Sequence, residues 1–342
     1  MDVLPRTILL KVLALEALAG RVSSNHLKYP QILESLRLER AGYNGEKSMD
    51  YPLKLLDKEK YFIFNGLRLE GTDFALQLDT YLLSQYFSVI FESKNWNGQV
   101  CFKQKPCQVV RILDGIEQGM PNPVEQVKTQ KYNLNRWYSQ NQMPVLPLEG
   151  YGVFGNSTII TIDKGYYEAE KSICKIDYIN SIIRKLETLY KTPILTQKEL
   201  NKLKRRLLKA NTPQLKNYLS TFNLHQSEVR TGVRCPDCGL LAMEYKKSSW
   251  HCPSCECISD DAHIPSIIDY YLIFGPMISH QDFKWFLHLH SSSVATKKLA
   301  SLKFEKIGKT KSTIHKIPYE FISANQEKSK NGTLLAGKCG KV

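Results

Sequence analysis

The sequence predicts an α/β domain in its first half, followed by a helical stretch and two small modules. Three observations carry this reading. Short apolar or alternating runs of the strand-forming kind crowd residues 61–113 and recur at 151–162. Helical patterns then fill about 177–219 with no strand among them. Last come two close-spaced pairs of cysteines and a segment of three helical patterns closed by a hairpin.

The elements follow in order. Residues 1–40 read as an N-terminal helical segment, rich in Leu with interspersed charge. From Tyr61 the period shortens: Tyr61–Phe64, Phe74–Leu83 and Phe87–Phe91 read as neighbouring strands, followed by a hairpin through Gln99–Phe102 and Gln108–Leu113. A helix opens at Asn122, with Pro123 at its first position and Glu125 where a capping-box acid belongs, and should run to about Gln140. A strand pair near Tyr151–Phe154 and Thr158–Ile162 completes the α/β domain by about residue 170. Helices follow from Asp177 to Leu219. Further helices are expected at Ile264–Phe274, at Gln281–Leu287 with Ser279 as cap, and at Ser292–Leu302. A hairpin through Phe304–Ile307 and Thr313–Ile317 follows, and the polar residues 321–342 read as a disordered tail.

The chain has 342 residues, room for two or three domains. Its 42% hydrophobic and 23% charged residues are those of a globular protein. The net charge of +14 favours phosphate-rich partners, nucleic acid first and anionic membrane second. Thr7–Gly20 carries Lys11 and Glu16, is too short to span a bilayer and lacks the build of a signal peptide, so no membrane association is expected. Nine cysteines, with Cys101, Cys107, Cys174, Cys257 and Cys339 scattered, do not form a disulfide framework, and a cytoplasmic location is expected.

The other four cysteines are Cys235-Pro-Asp-Cys238 and Cys252-Pro-Ser-Cys255. A two-residue gap lets both thiolates of a knuckle turn onto one tetrahedral ion, and four thiolates close its coordination. Cys235, Cys238, Cys252 and Cys255 therefore read as the ligands of a structural Zn²⁺ in a zinc ribbon spanning 231–259, a site with no position left for chemistry.

Charges interrupt the strands of the first domain. Asp79 sits between Leu78 and Leu82–Leu83, and Glu92 and Lys94 end the run Val89–Phe91. Alternation along a strand puts Glu92 and Lys94 on one face. Burying such charges is costly unless they are paired or bind a metal, and the pattern alone fits a buried ion pair as well as a metal site.

Asp79 and Glu92-Ser-Lys94 together resemble the D…(D/E)xK core of the restriction-endonuclease-like nucleases. Residues from about 40 to 155 are similar to the NERD, or nuclease-related, domain. The matching pieces are Gly45-Glu46-Lys47 on a helix, Gln77-Leu-Asp79, Glu92-Ser-Lys94-Asn95 with Gly98 after it, and Asn122–Gln126 opening a helix. The resemblance implies a restriction-endonuclease-like core, a mixed sheet flanked by helices, over residues 41–172. It implies catalytic roles for Glu46, Asp79, Glu92, Lys94 and Gln126. Asp79 and Glu92 would hold Mg²⁺ or Mn²⁺, with Glu46 a third acid. Lys94 would orient or activate the attacking water, and Gln126 would contact phosphate or water. Pro52, six residues after Glu46, ends or kinks the helix that carries it.

Two basic segments complete the reading. Lys202, Arg205 and Arg206, with Lys204 and Lys209, lie in a helical linker spanning 173–230 and are either a solvated helix face or a phosphate-facing surface. Residues 260–320 resemble a winged helix, with Lys297 and Lys298 on its recognition helix and Lys309 and Lys311 at the wing tip. The expected activity is metal-dependent phosphodiester hydrolysis on nucleic acid, DNA first. A non-catalytic DNA-binding or adaptor protein is the alternative.

Overall fold

The computed structural model describes residues 2–309 and 313–330. The chain divides into two compact units. One takes the chain up to Leu9 together with Leu38–Gln214, and the other takes Leu10–Arg37 and the chain from Leu215 onward.

The first unit is built on a mixed six-stranded sheet. Its strands are β1 (Asp2–Leu4), β2 (Phe62–Glu70), β3 (Ala75–Leu83), β4 (Ser88–Lys94), β8 (Leu148–Phe154) and β10 (Ile173–Lys175), in the spatial order β1-β2-β3-β4-β8-β10. β2, β3 and β4 form an antiparallel meander, while β1 joins β2, and β8 joins β4 and β10, in parallel. The apolar residues of β2–β4 alternate and feed two cores. On one face Phe64, Leu78, Tyr81 and Ile90 pack with Leu134 and Trp137 of α4 (Pro123–Gln140) and with Leu200, Leu203 and Leu207 of α7 (Gln197–Ala210). On the other, Ile63, Leu82, Val89 and Phe91 pack with Leu53 of α3 (Asp50–Lys54) and with Ile179, Ile183 and Leu186 of α6 (Ile179–Leu189). Helices thus cover both faces of a mixed sheet, as expected of the core, but β1, β10, α6 and α7 come from outside the expected span of 41–172, the last two from the segment 173–230 read as a linker.

A second, four-stranded sheet has the order β7-β6-β5-β9, from β5 (Gln99–Lys103), β6 (Gln108–Leu113), β7 (Ile116–Met120) and β9 (Ile159–Ile162). It packs through Val100, Phe102 and Val109 on Phe154, Tyr166 and Ala169 of α5 (Tyr167–Ser172). The sequence reading placed β5 and β6 but not β7, whose residues are exposed or nearly so and leave no apolar alternation. It also took the first residues as helical. Asp2–Leu4 is instead a strand, because β2 offers an open edge on which it pairs in parallel.

Two helix ends follow their sequence signals. Asn122 caps α4 by accepting from Val124 N at 3.0 Å, whereas Glu125 pairs with Lys128 at 2.9 Å rather than closing a capping box. α2 (Tyr29–Ser48) ends before Pro52, which sits inside the separate short helix α3.

The second unit contains α1 (Leu10–Arg21), α8 (Tyr218–Phe222), α9 (His263–Phe274), α10 (His280–Phe286), α11 (Ser292–Ser301) and α12 (Tyr319–Lys330). α1 packs on α9, and Arg21 at its end is fully buried, bonding Asp269 at 2.7 Å beneath the ring of Phe286. β11 (Glu244–Lys246), β12 (Ser249–His251) and β13 (Ile258–Ser259) form a small antiparallel sheet beside the cysteines. β14 (Met277–Ser279), β16 (Ile314–Lys316) and β15 (Glu305–Ile307) form another, and Ser279 caps α10 in a reciprocal box with Asp282. The expectation of a tail disordered from residue 321 is corrected: α12 continues to Lys330, since Ile322 is buried and Phe321 packs edge-on against Phe304 at 5.2 Å. Residues 331–342, the rest of that tail with Cys339, lie outside the described residues.

Candidate metal centres and nucleic-acid surfaces

The acidic constellation is assembled by strand register. β3 and β4 pair with Thr80 opposite Phe91, so Asp79 and Glu92 are the next residues in line on the two strands. Opposed residues of an antiparallel pair share a face, and Lys94 shares it with Glu92 by alternation. α4 crosses this face and presents Gln126 and Gln130, one turn apart.

The polar contacts are dense. Glu92, 5% exposed, accepts from Lys94 Nζ at 2.7 Å and Gln126 Nε2 at 2.5 Å through Oε1, and from Gln130 Nε2 at 2.7 Å through Oε2. Gln130 Nε2 also donates to the carbonyl of Gln77 at 3.2 Å, while its Oε1 is buried without a hydrogen-bond partner. Asp79 accepts from the backbone N–H of Ser93 at 2.9 Å through Oδ2, and among the described residues no hydrogen bond reaches its Oδ1. Burial, and then the charges of Glu92 and Glu46, push the Asp79 pKa well above the ordinary carboxylate range, against the opposing pull of Lys94 and the Ser93 N–H.

Glu46 takes a different place from its two fellow acids. Near the end of α2 and 7% exposed, it pairs with Arg6 Nη1 at 2.9 Å. The same guanidinium bonds Asp50 at 2.8 Å, Asn65 Oδ1 at 2.8 Å and Thr80 Oγ1 at 2.8 Å. Thr80 follows Asp79 along β3, so its side chain leaves the opposite face of the sheet. Asp79, Glu92, Lys94 and Gln126 therefore stand together, and Glu46 is tied to Arg6 across the strand from them, near enough for its charge to act on Asp79. Arg6 and Gln130 escaped the sequence reading. Gln130 had a signal, its four-residue spacing from Gln126 on one helix face; Arg6, alone in a polar-poor N-terminal run, had none.

Asp79 and Glu92 are oxygen donors of the type Mg²⁺ takes, and a cation would offset the like charge that, after burial, lifts the Asp79 pKa. Glu92 already serves three donors, so binding there would compete with Lys94 and the two amides.

In the second unit, Cys235, Cys238, Cys252 and Cys255 bring their sulfurs within 4.8 Å of one another, with Cys235–Cys255 and Cys238–Cys252 each at 3.6 Å. Among the described residues this is the one group of three or more Cys, His, Asp or Glu whose ligand atoms converge. Burial pushes the Cys252 thiol up, but backbone N–H groups of Ser254 and Cys255 outweigh it and bring the pKa down to about 7, favouring the thiolate. The donor chemistry fits a closed, structural Zn²⁺.

The basic residues divide into outward and committed groups. On α7, Leu200, Leu203 and Leu207 face the core, and Lys202, Arg205 and Lys209 face solvent. Arg206 is half-buried and donates to the carbonyl of Asn141 at 2.5 Å, and Lys204 lies 4.3 Å from the centre of the Phe62 ring. On α11, Lys297 is exposed, whereas Lys298 lies 4.9 Å over the Tyr245 ring and donates to the Asp260 carbonyl at 3.4 Å. Lys309 is exposed beside β15, and Lys311 lies outside the described residues.

Residues 41–155 match the NERD family, the nuclease-related domain. The NERD segment contains Glu46, Asp79, Glu92, Lys94, Gln126 and Gln130, and leaves out Arg6 and the whole cysteine cluster. Neither a curated protein nor a solved structure matches the chain. No helix among the described residues is long and apolar enough to cross a membrane.

Proposed function

We propose that the NERD-containing unit is a restriction-endonuclease-like, divalent-metal-dependent phosphodiesterase acting on nucleic acid, DNA first. The observation that carries this is the Glu92–Lys94–Gln126 contact standing beside an Asp79 whose charge is poorly compensated. Asp79 and Glu92 would hold Mg²⁺ or Mn²⁺, which when bound would polarise a phosphoryl oxygen and lower the pKa of the attacking water. Lys94 would release Glu92, orient the nucleophile and stabilise charge on the phosphorane-like transition state. Gln126 would contact phosphate or water. Glu46 would tune Asp79 through its field while Arg6 balances its charge.

The modules of the other unit serve binding on this reading. The cysteine cluster and its small sheet form a zinc ribbon, and α9–α11 with the β14–β16–β15 sheet form a winged-helix-like module. Lys202, Arg205, Lys297 and Lys309 supply phosphate contacts. The scattered cysteines suit the reducing cytoplasm.

A second reading has its own support: Glu92 is buried and fully served by its three donors, as a structural ion pair would be. The test is cleavage of single- and double-stranded DNA and RNA by the full chain with Mg²⁺ or Mn²⁺, beside Asp79→Ala. Metal-dependent cleavage lost in the variant supports the enzyme; an inert wild type whose melting ignores Mg²⁺ supports the binding module.

A further inference from the structure

The second unit holds a cavity of about 820 Å³ that the reading above leaves unused. Tyr245 of β11 and Trp285 of α10 line it, with His288 and His290 from the segment after α10 and with Lys246 and Lys284. The aromatic walls are each packed against further rings. Trp285 rests on Phe274 and Phe286, each with ring centres 5.9 Å away, and Tyr245 stands edge-on to Trp250 at 5.2 Å. His288 bonds Thr231 Oγ1 at 2.6 Å. The indole N–H of Trp285 meets no acceptor among the described residues. The one acid of the lining, Glu244, is ion-paired with Lys246, which leaves Lys284, bonded to the Ser292 hydroxyl at 3.4 Å, as the cation of the lining with no acid partner among the described residues.

We propose that this cavity receives an unpaired base of single-stranded nucleic acid. The inference rests on the nucleic-acid-binding part of the reading above, not on catalysis. A flat aromatic ligand matches rigid, pre-set aromatic walls, and every base has a face that can stack there. The indole N–H is a donor for a base carbonyl or ring nitrogen. Lys284 meets a phosphate flanking that base. A paired base offers only its edges to a groove-binding protein, so a concave aromatic site selects for strands whose bases are free. Lys298, 4.9 Å over the Tyr245 ring, is a support of this wall rather than a groove contact.

The test is fluorescence anisotropy with a labelled oligothymidylate and with a duplex of equal length. It uses the full zinc-loaded chain, in an Asp79→Ala background without added Mg²⁺ so that no strand is cut. The single strand should bind more tightly than the duplex. Trp285→Ala should weaken it by roughly 5- to 150-fold while duplex binding stays within about twofold, as for loss of one stacked base, and Trp285→Phe should restore most of the affinity. Should Trp285→Ala not fold, crosslinking of a 4-thiothymidine oligonucleotide to the unsubstituted Trp285 chain decides, with attachment expected at Tyr245 or Trp285. Equal affinity for duplex, a folded Trp285→Ala with unchanged affinity, or crosslinks confined to other segments would overturn the proposal. So would an apolar peptide binding the cavity while oligonucleotides do not. Cleavage by the Asp79-containing chain is scored separately, so an inert nuclease with an intact base pocket, or the reverse, remains distinguishable.

Discussion

Glu92→Gln separates catalysis from architecture. The substitution keeps size and removes charge. Its amide oxygen can still accept from Lys94 and Gln126 where Oε1 now stands. Its new NH₂ would face Gln130 Nε2, donor against donor, but Gln130 carries a buried Oε1 that accepts nothing. A flip of the Gln130 amide turns that oxygen to the new donor, at the expense of its 3.2 Å bond to Gln77. What remains is the loss of the 2.7 Å ion pair. Removing one partner of a fully buried pair costs about 3–5 kcal/mol. Here Lys94 keeps 12% of its side chain in contact with solvent, so we expect less, about 1–2 kcal/mol. That corresponds to a melting shift of about 2–8 °C for a unit of this size. Cleavage should fall at least about 100-fold, the scale for removing one preorganised charged group. Thermal melts and metal-dependent cleavage read the two effects on one preparation. Cleavage within tenfold of wild type would refute the role of Glu92, and a melting loss above about 15 °C would make the pair architectural.

Asp79→Asn should stabilise the metal-free protein at neutral pH. A carboxyl whose folded pKa is raised is most stable below its ordinary value near 3.9 and loses stability as pH rises through the folded pKa, so the gain in melting temperature should shrink toward pH 4. Mg²⁺ should raise the melting temperature of the wild type and not of this variant. Metal analysis should find about one zinc per chain, and strong chelators or Cys252→Ser should destabilise the second unit, because closed thiolate sites bind metal as part of folding. DNA affinity should fall steeply with salt; Lys202→Ala with Arg205→Ala should flatten that dependence, whereas Lys298→Ala should lower the melting temperature more than it changes the salt slope.

What the sequence disclosed follows from how local each signal is. Asn122-Pro123, Ser279 and the cysteine knuckles are contacts between near neighbours, so their spacing carries their geometry. The Glu92–Lys94 contact is equally local, fixed by alternation on one strand. β1, β7 and β10 were not legible because they are short edge strands whose pairing is decided by the partner strand. The fate of the basic helix shows the same limit. Its charge run does not say that Arg206 turns inward to Asn141 while Arg205 faces out, because that depends on which stripe α7 buries.

The three acids of the segment that matches the NERD family are compensated unequally. Glu46 shares the Arg6 guanidinium with Asp50, and Glu92 holds an ammonium with two amides. Asp79 has one backbone N–H and a rim of like charge. A cation arriving at this face therefore gains most at Asp79, where the folded protein has left negative charge least attended. It gains least at Glu92, where it must first displace a lysine. Displacement would free Lys94 at the moment the metal is seated, next to the oxygen that a bound phosphate would bring. On the proposed metal-dependent mechanism, the ion pair would hold the lysine in place until metal binding released it. On this ordering, Asp79→Asn should abolish the Mg²⁺-induced rise in melting temperature, while Glu92→Gln should only weaken it.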